Sequence, residues 1–259
     1  YGDHRDLHYP LRRQRLMCIR DSTTGCENTS IGFRSLHCNT TACHNTAVGM
    51  CSLFSNTTGA NNVAVGYKAL VTNTTAGANT VVGTCAGCSN TTGASLVGMG
   101  YLALAANTTG IRNTALGVYS QRYTSTGQFN TSSGYMSLCS NSTGCHNTAV
   151  GDLSLRNNTT ANFNTAVGGC ALKSNTTASN NTAIGYQALT DNTTASGNVA
   201  VGYGALQANT TGDKNTAVGA YTLDTVTTGD DNTGVGYGVL TNSTAANNTA
   251  VGKWAMNSN

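Results

Sequence analysis

The sequence predicts an all-β fold: a parallel β-solenoid, of the β-helix or β-roll kind, with about fourteen coils of 17 residues. Three observations carry that prediction. A glycine recurs at Gly32, Gly49, Gly66, Gly83, Gly100, Gly117, Gly134, Gly151, Gly168, Gly185, Gly202, Gly219, Gly236 and Gly252, with twelve intervals of 17 residues and a last one of 16. Around it stands a unit close to N-T-T-G-x-x-N-T-A-V-G-Y-x-A-L-x-x, whose T-A-V-G-Y portion alternates in the period of a strand. Composition completes the case, because charged residues make up only 9% while Gly, Asn and Thr, all poor helix formers, abound.

Each position of the unit has a part in such a coil. Asn stands four residues before the glycine in thirteen of fourteen units, Leu96 being the exception. An aliphatic residue precedes the glycine almost everywhere, Ser133 alone being polar, and Leu usually follows four residues after it. Thr, Val and Tyr then share one side of the strand and Ala and Gly the other. The glycine permits a bend or a close backbone approach, and N-T-T-G supplies a turn. Coils stacked at about 4.8 Å would place like on like, with thin Val and Leu columns as the buried apolar part. A disordered low-complexity tract would have no reason to hold Val and Leu in register through the array.

Residues 1–21 lie outside the pattern, and 22–259 form the repeat array. The leading segment holds five Arg, three Asp and the only proline, so the body carries eight basic and seven acidic residues and is nearly neutral. Its string Leu16 to Ser22 reads as a non-native addition, the alternative being a genuine basic leader or capping segment. The array is expected to be part of a longer one. A neutral body offers no basic stripe for nucleic acid, and no apolar run approaches the ~20 residues of a membrane-spanning helix.

The turn motif is also an N-glycosylation acceptor, N-x-[ST], at Asn39, Asn56, Asn73, Asn90, Asn107, Asn141, Asn158, Asn175, Asn192, Asn209 and Asn242. At one exposed corner these would carry a row of covalent N-glycans, although Asn and Thr are also ordinary turn residues. Further sequons at Asn28, Asn130, Asn157, Asn180 and Asn247 are set aside as sites. Ten cysteines suggest an oxidising compartment. Cys38 with Cys43, Cys139 with Cys145, and Cys85 with Cys88 are candidate local disulfides, and a Cys26–Cys43 bond between adjacent coils competes with the first.

Catalytic chemistry finds little support. The body acids Glu27, Asp152, Asp191, Asp213, Asp224, Asp230 and Asp231 are scattered, and no phosphate loop or nucleophile triad is legible. The Cys85–Cys88 C-x-x-C lacks a second half, and His44 and His146, each beside a cysteine, lie too far apart to share a metal. No catalytic residue, cofactor or metal site is expected. The Tyr column (Tyr67, Tyr101, Tyr135, Tyr186, Tyr203, Tyr237) suits packing between coils better than a stacking platform for sugars or bases.

The stretches Asn62 to Leu70 and Asn181 to Leu189, N-x-A-[VI]-G-Y-x-A-L, resemble the head repeats of trimeric autotransporter adhesins, over residues 28–256. That resemblance implies parallel β-rolls, three chains per head, on a cell surface. The units here are longer, and their sequons and cysteines depart from that family. The expectation is an extracellular or cell-surface structural protein, a glycosylated β-solenoid fibre or filament that self-associates end to end or laterally, with a trimer among the options. The alternatives are an ice-binding protein using Thr ladders, or an adhesin shaft or head for a host or matrix ligand.

Overall fold

A computed structural model describes residues 23–241 and 245–256. Segment 1–21 and the sequon at Asn242 lie outside the described residues. The chain divides into two compact units, Tyr1–Asn113 and Thr114–Asn259. In the first, strands β1 to β5 are Thr29–Ile31, Thr46–Val48, Val63–Val65, Thr80–Val82 and Val97–Met99. In the second, β6 to β14 are Thr114–Leu116, Thr131–Ser133, Thr148–Val150, Thr165–Val167, Thr182–Ile184, Val199–Val201, Thr216–Val218, Thr233–Val235 and Thr249–Val251. Within each unit every strand pairs in parallel with the next, in a register set by the repeat, such as Ala183↔Ala200. This is a parallel β-solenoid of stacked 17-residue coils, and no helix occurs among the described residues.

Alternation fixes which side chains enter the core. In Thr165–Val167 the middle alanine is buried while its two neighbours face outward, and most other strands repeat the pattern. The aliphatic column before the glycine therefore lies outside, contrary to the Val column expected within. Apolar burial comes instead from that alanine, the alanine three residues after the glycine, and the leucine four after it. Among the described residues twelve leucines are fully buried, Leu53, Leu70, Leu155, Leu172, Leu189 and Leu206 among them. Each is worth about 1.5–3 kcal/mol of burial, which offsets a local backbone cost. The repeating leucines turn a corner at φ near 50°, such as Leu53 (φ 48) and Leu189 (φ 51), a left-handed conformation that costs about 1–2 kcal/mol for an L-residue.

The recurring glycine is required by close approach. At Gly168 φ is +133°, and an added Cβ would stand 2.4 Å from the carbonyl oxygen of Gly185 in the next coil. Backbone bonds then run from coil to coil in both directions: Gly168 N–H donates to Val150 (2.7 Å), and Thr165 N–H to Asn181 (2.9 Å).

The other half of the interior is polar. The asparagine four before the glycine accepts the backbone N–H of its counterpart one coil on, as Asn164 Oδ1 does from Asn181 (2.9 Å). Its Nδ2 crosses the coil to a backbone carbonyl, Asn164 to Ala178 at 2.9 Å. The asparagine of the N-T-T turn makes a second ladder. Asn175 Nδ2 donates to Asn158 Oδ1 (2.9 Å) and to that same Ala178 carbonyl (3.0 Å). Buried amides in such a chain polarise one another, and most are satisfied by their neighbours, Asn107 Oδ1, Asn209 Oδ1 and Asn232 Nδ2 being exceptions.

Candidate functional site

These ladders decide the fate of the expected glycan acceptors. Asn39, Asn56, Asn73, Asn90, Asn107, Asn141, Asn158, Asn175, Asn192 and Asn209 are all 0% exposed. Asn192 Nδ2, which would carry the sugar, gives its hydrogens to Asn175 Oδ1 (3.0 Å) and to the Ala195 carbonyl (3.0 Å). A glycan would need one of those hydrogens and a path to solvent, and the stacked coil offers neither. Burial and bonding thus speak against glycans on these ten described asparagines, where the sequon arises from the residues that build the internal ladder. Asn180 and Asn247, in sequons set aside above, are exposed instead.

The threonine next to that asparagine is engaged as well. Thr159 gives both its N–H (2.9 Å) and its hydroxyl (3.0 Å) to the carbonyl of Thr176 one coil on, and Thr57 treats Thr74 alike. The strand threonines differ. Thr148, Thr165 and Thr182 point outward, and among the described residues their hydroxyls are tied to no other group. Beside them runs the outward aliphatic column, with Val150 38%, Ile184 41%, Val218 38% and Val235 37% exposed. Neither column carries a charge, so the outer sheet face of the second unit is a regular array of methyl and hydroxyl groups.

Two residues beyond lie the tyrosines, each 40–49% exposed. Tyr186 and Tyr203 stack at 5.5 Å, and Tyr203, Tyr221, Tyr237 and Trp254 continue edge to face at 5.1–5.9 Å. For Tyr186, Tyr203 and Tyr237, ring against ring is packing between coils.

None of the nine described cysteines is in a disulfide, so Cys38, Cys43, Cys139, Cys145, Cys85 and Cys88 all stand as thiols here. Cys139 is buried, and that burial pushes its thiol pKa up; burial and the neighbouring Cys85 do the same to Cys88. Cys145 belongs to a further ladder that the sequence pattern did not disclose. Its Sγ accepts the Gln128 N–H (3.3 Å), and its own N–H goes to Asn162 Oδ1 (2.7 Å). The same relay continues from Asn162 to Ser179 (3.0 Å), Ser179 to Ser196 (3.2 Å), Ser196 to Asp213 (2.6 Å) and Asp213 to Asp230 (2.7 Å). Its signal was that the column holds only short acceptors in the six units from Cys145 to Asp230, although not in those before them. His44 pairs with Glu27 at 2.8 Å, and His146 is sandwiched between Phe129 (4.8 Å) and Phe163 (5.2 Å). Among the described residues no group of three or more His, Cys, Asp or Glu is placed to hold a metal ion, and no helix is long and apolar enough to cross a membrane.

Set beside known proteins, the chain matches no family, no curated protein and no solved structure.

Proposed function

We propose that the chain is a structural β-solenoid of an extracellular or cell-surface fibre, which self-associates laterally through its outward sheet face. The observation that carries this reading is the uncharged aliphatic column on that face, unbroken from Val150 to Val251 and represented by Val150, Ile184, Val218 and Val235. Extended apolar surface of this kind marks an association site, and a repetitive face is complementary to a second copy at the same rise. Coil stacking supplies the length and the outer face supplies the partner, without glycans on the buried asparagines. Sedimentation velocity and negative-stain imaging test it together: assembly is expected for the full chain, and Ile184→Lys with Val218→Lys should disperse it while leaving the circular dichroism spectrum unchanged. A native chain that stays monomeric at every accessible concentration would refute the proposal.

A second reading, ice binding, is favoured by the unengaged hydroxyls of Thr148, Thr165 and Thr182 next to those methyl groups. It moves the ice-binding threonines from the turns, whose first hydroxyls are spent on backbone carbonyls, to the strands. Thermal hysteresis that is lost in Thr165→Lys and kept in Thr176→Val would support it. No hysteresis in monomeric chain would remove it.

A further inference from the structure

We propose that Cys26 and Cys43 are a cross-linking site, where an inter-coil disulfide fastens the first described coil to the second. The two residues occupy the same column of the repeat, one coil apart. Of the described cysteines they alone are so placed: Cys51 and Cys85 share a column but are separated by the coil of Lys68, and Cys145 stands between Gln128 and Asn162.

The local geometry is prepared for the bond. The two sulfurs lie 2.7 Å apart, closer than thiols rest in simple contact, and Cys26 N–H donates to Cys43 Sγ at 3.1 Å. Parallel neighbours set their Cα atoms about 4.7–4.9 Å apart, inside the range of roughly 4.4–6.8 Å that a disulfide spans. At the next position of the same two coils Glu27 and His44 form their ion pair at 2.8 Å, which holds the corner in register beside the sulfurs. Cys26 is exposed and Cys43 partly so, and a small reagent can therefore reach the pair.

The step needs an oxidant, and a low-molecular-weight disulfide of the glutathione type serves. One cysteine, as thiolate, attacks a sulfur of that reagent, forming a mixed disulfide and expelling one small thiolate, which takes up a proton. The second cysteine then attacks the protein sulfur of the mixed disulfide and expels the other small thiolate, which is protonated in turn. Two protein thiols are thereby oxidised to one disulfide, and one small disulfide is reduced to two thiols. Cys43 can take only one partner, so this bond excludes the Cys38–Cys43 staple.

The test uses the full chain, equilibrated with oxidised glutathione, alkylated and mapped without reduction. The expected result is a cross-linked peptide pair holding Cys26 and Cys43, loss of alkylation at both, and amide exchange in Thr29–Ile31 slowed by about tenfold or more. Cys38→Ser should leave all three readouts in place, and Cys26→Ser should remove them. A Cys38–Cys43 link, continued alkylation of Cys26 and Cys43, or equal protection in Cys26→Ser would overturn the proposal.

Discussion

At the scale of single residues, the asparagine amide does the work that an aliphatic side chain does in an ordinary core. Asn175 makes three such bonds, giving two through Nδ2 and accepting Asn192 Nδ2 at Oδ1 (3.0 Å). Asn209 makes only the two donated bonds, to Asn192 (3.1 Å) and Gly212 (3.0 Å), because Val226 occupies the column in the next coil and leaves Asn209 Oδ1 buried without a donor. The two sites are otherwise alike in burial, and they isolate one ladder contact. Asn175→Ala is expected to lose more stability than Asn209→Ala by about 1–3 kcal/mol, the cost of one more broken bond with its orphaned partner, measured as the difference in urea unfolding midpoints at constant slope. Equal losses would mean that the ladder is a set of independent contacts with the coil's own carbonyls.

At the scale of the coil, the glycine columns separate backbone necessity from habit. Gly168→Ala drives a Cβ to 2.4 Å from a backbone oxygen at φ +133°, whereas Gly169→Ala meets only the edge of the Tyr186 ring at 3.2 Å. The first substitution should cost about 3 kcal/mol or more and the second under about 1 kcal/mol, read as the shift in thermal midpoint. Period, strand position and this glycine were legible in the sequence because register and close approach leave a one-residue signature in every unit. The inside of the coil was legible only in part. Alternation places Ala inward and Val outward in T-A-V, but hydrophobicity alone ranks Val above Ala for burial, and the expected Val column followed that ranking. The N-T-T asparagines read as surface residues because Asn usually caps exposed turns, and the sequon is silent about which way the side chain points. Nor does leucine advertise a left-handed corner such as Leu189 (φ 51), since its burial rather than its backbone preference selects it.

At the scale of the whole chain, nearly every stabilising contact described lies within a coil or joins it to the adjacent one. Stability should then be a sum of coil terms and nearest-neighbour terms, as in other solenoids, with no distant contact to lose. Such an array has a sharp signature under deletion. Removing residues 152–168 takes out one 17-residue repeat of the second unit and joins Gly151 to Gly169, which bring the same columns together. The Asn158 rung leaves with it, and Asn175 Nδ2 then faces Asn141 Oδ1 as donor. That variant should keep the circular dichroism spectrum of the parent and unfold in one transition, with a midpoint lower by about 2–4 °C. Removing 152–159 instead leaves only nine residues from Gly151 to Gly168 and breaks the register by about half a repeat at that one junction, while the later coils stay in register with one another. Buried asparagines would then face alanines and outward valines, leaving amides unsatisfied throughout the interface, each at about 1–3 kcal/mol. The single transition is expected to be lost there, the coils on either side of the junction unfolding separately. Should the two deletions behave alike, register between neighbouring coils would not be what holds the fold.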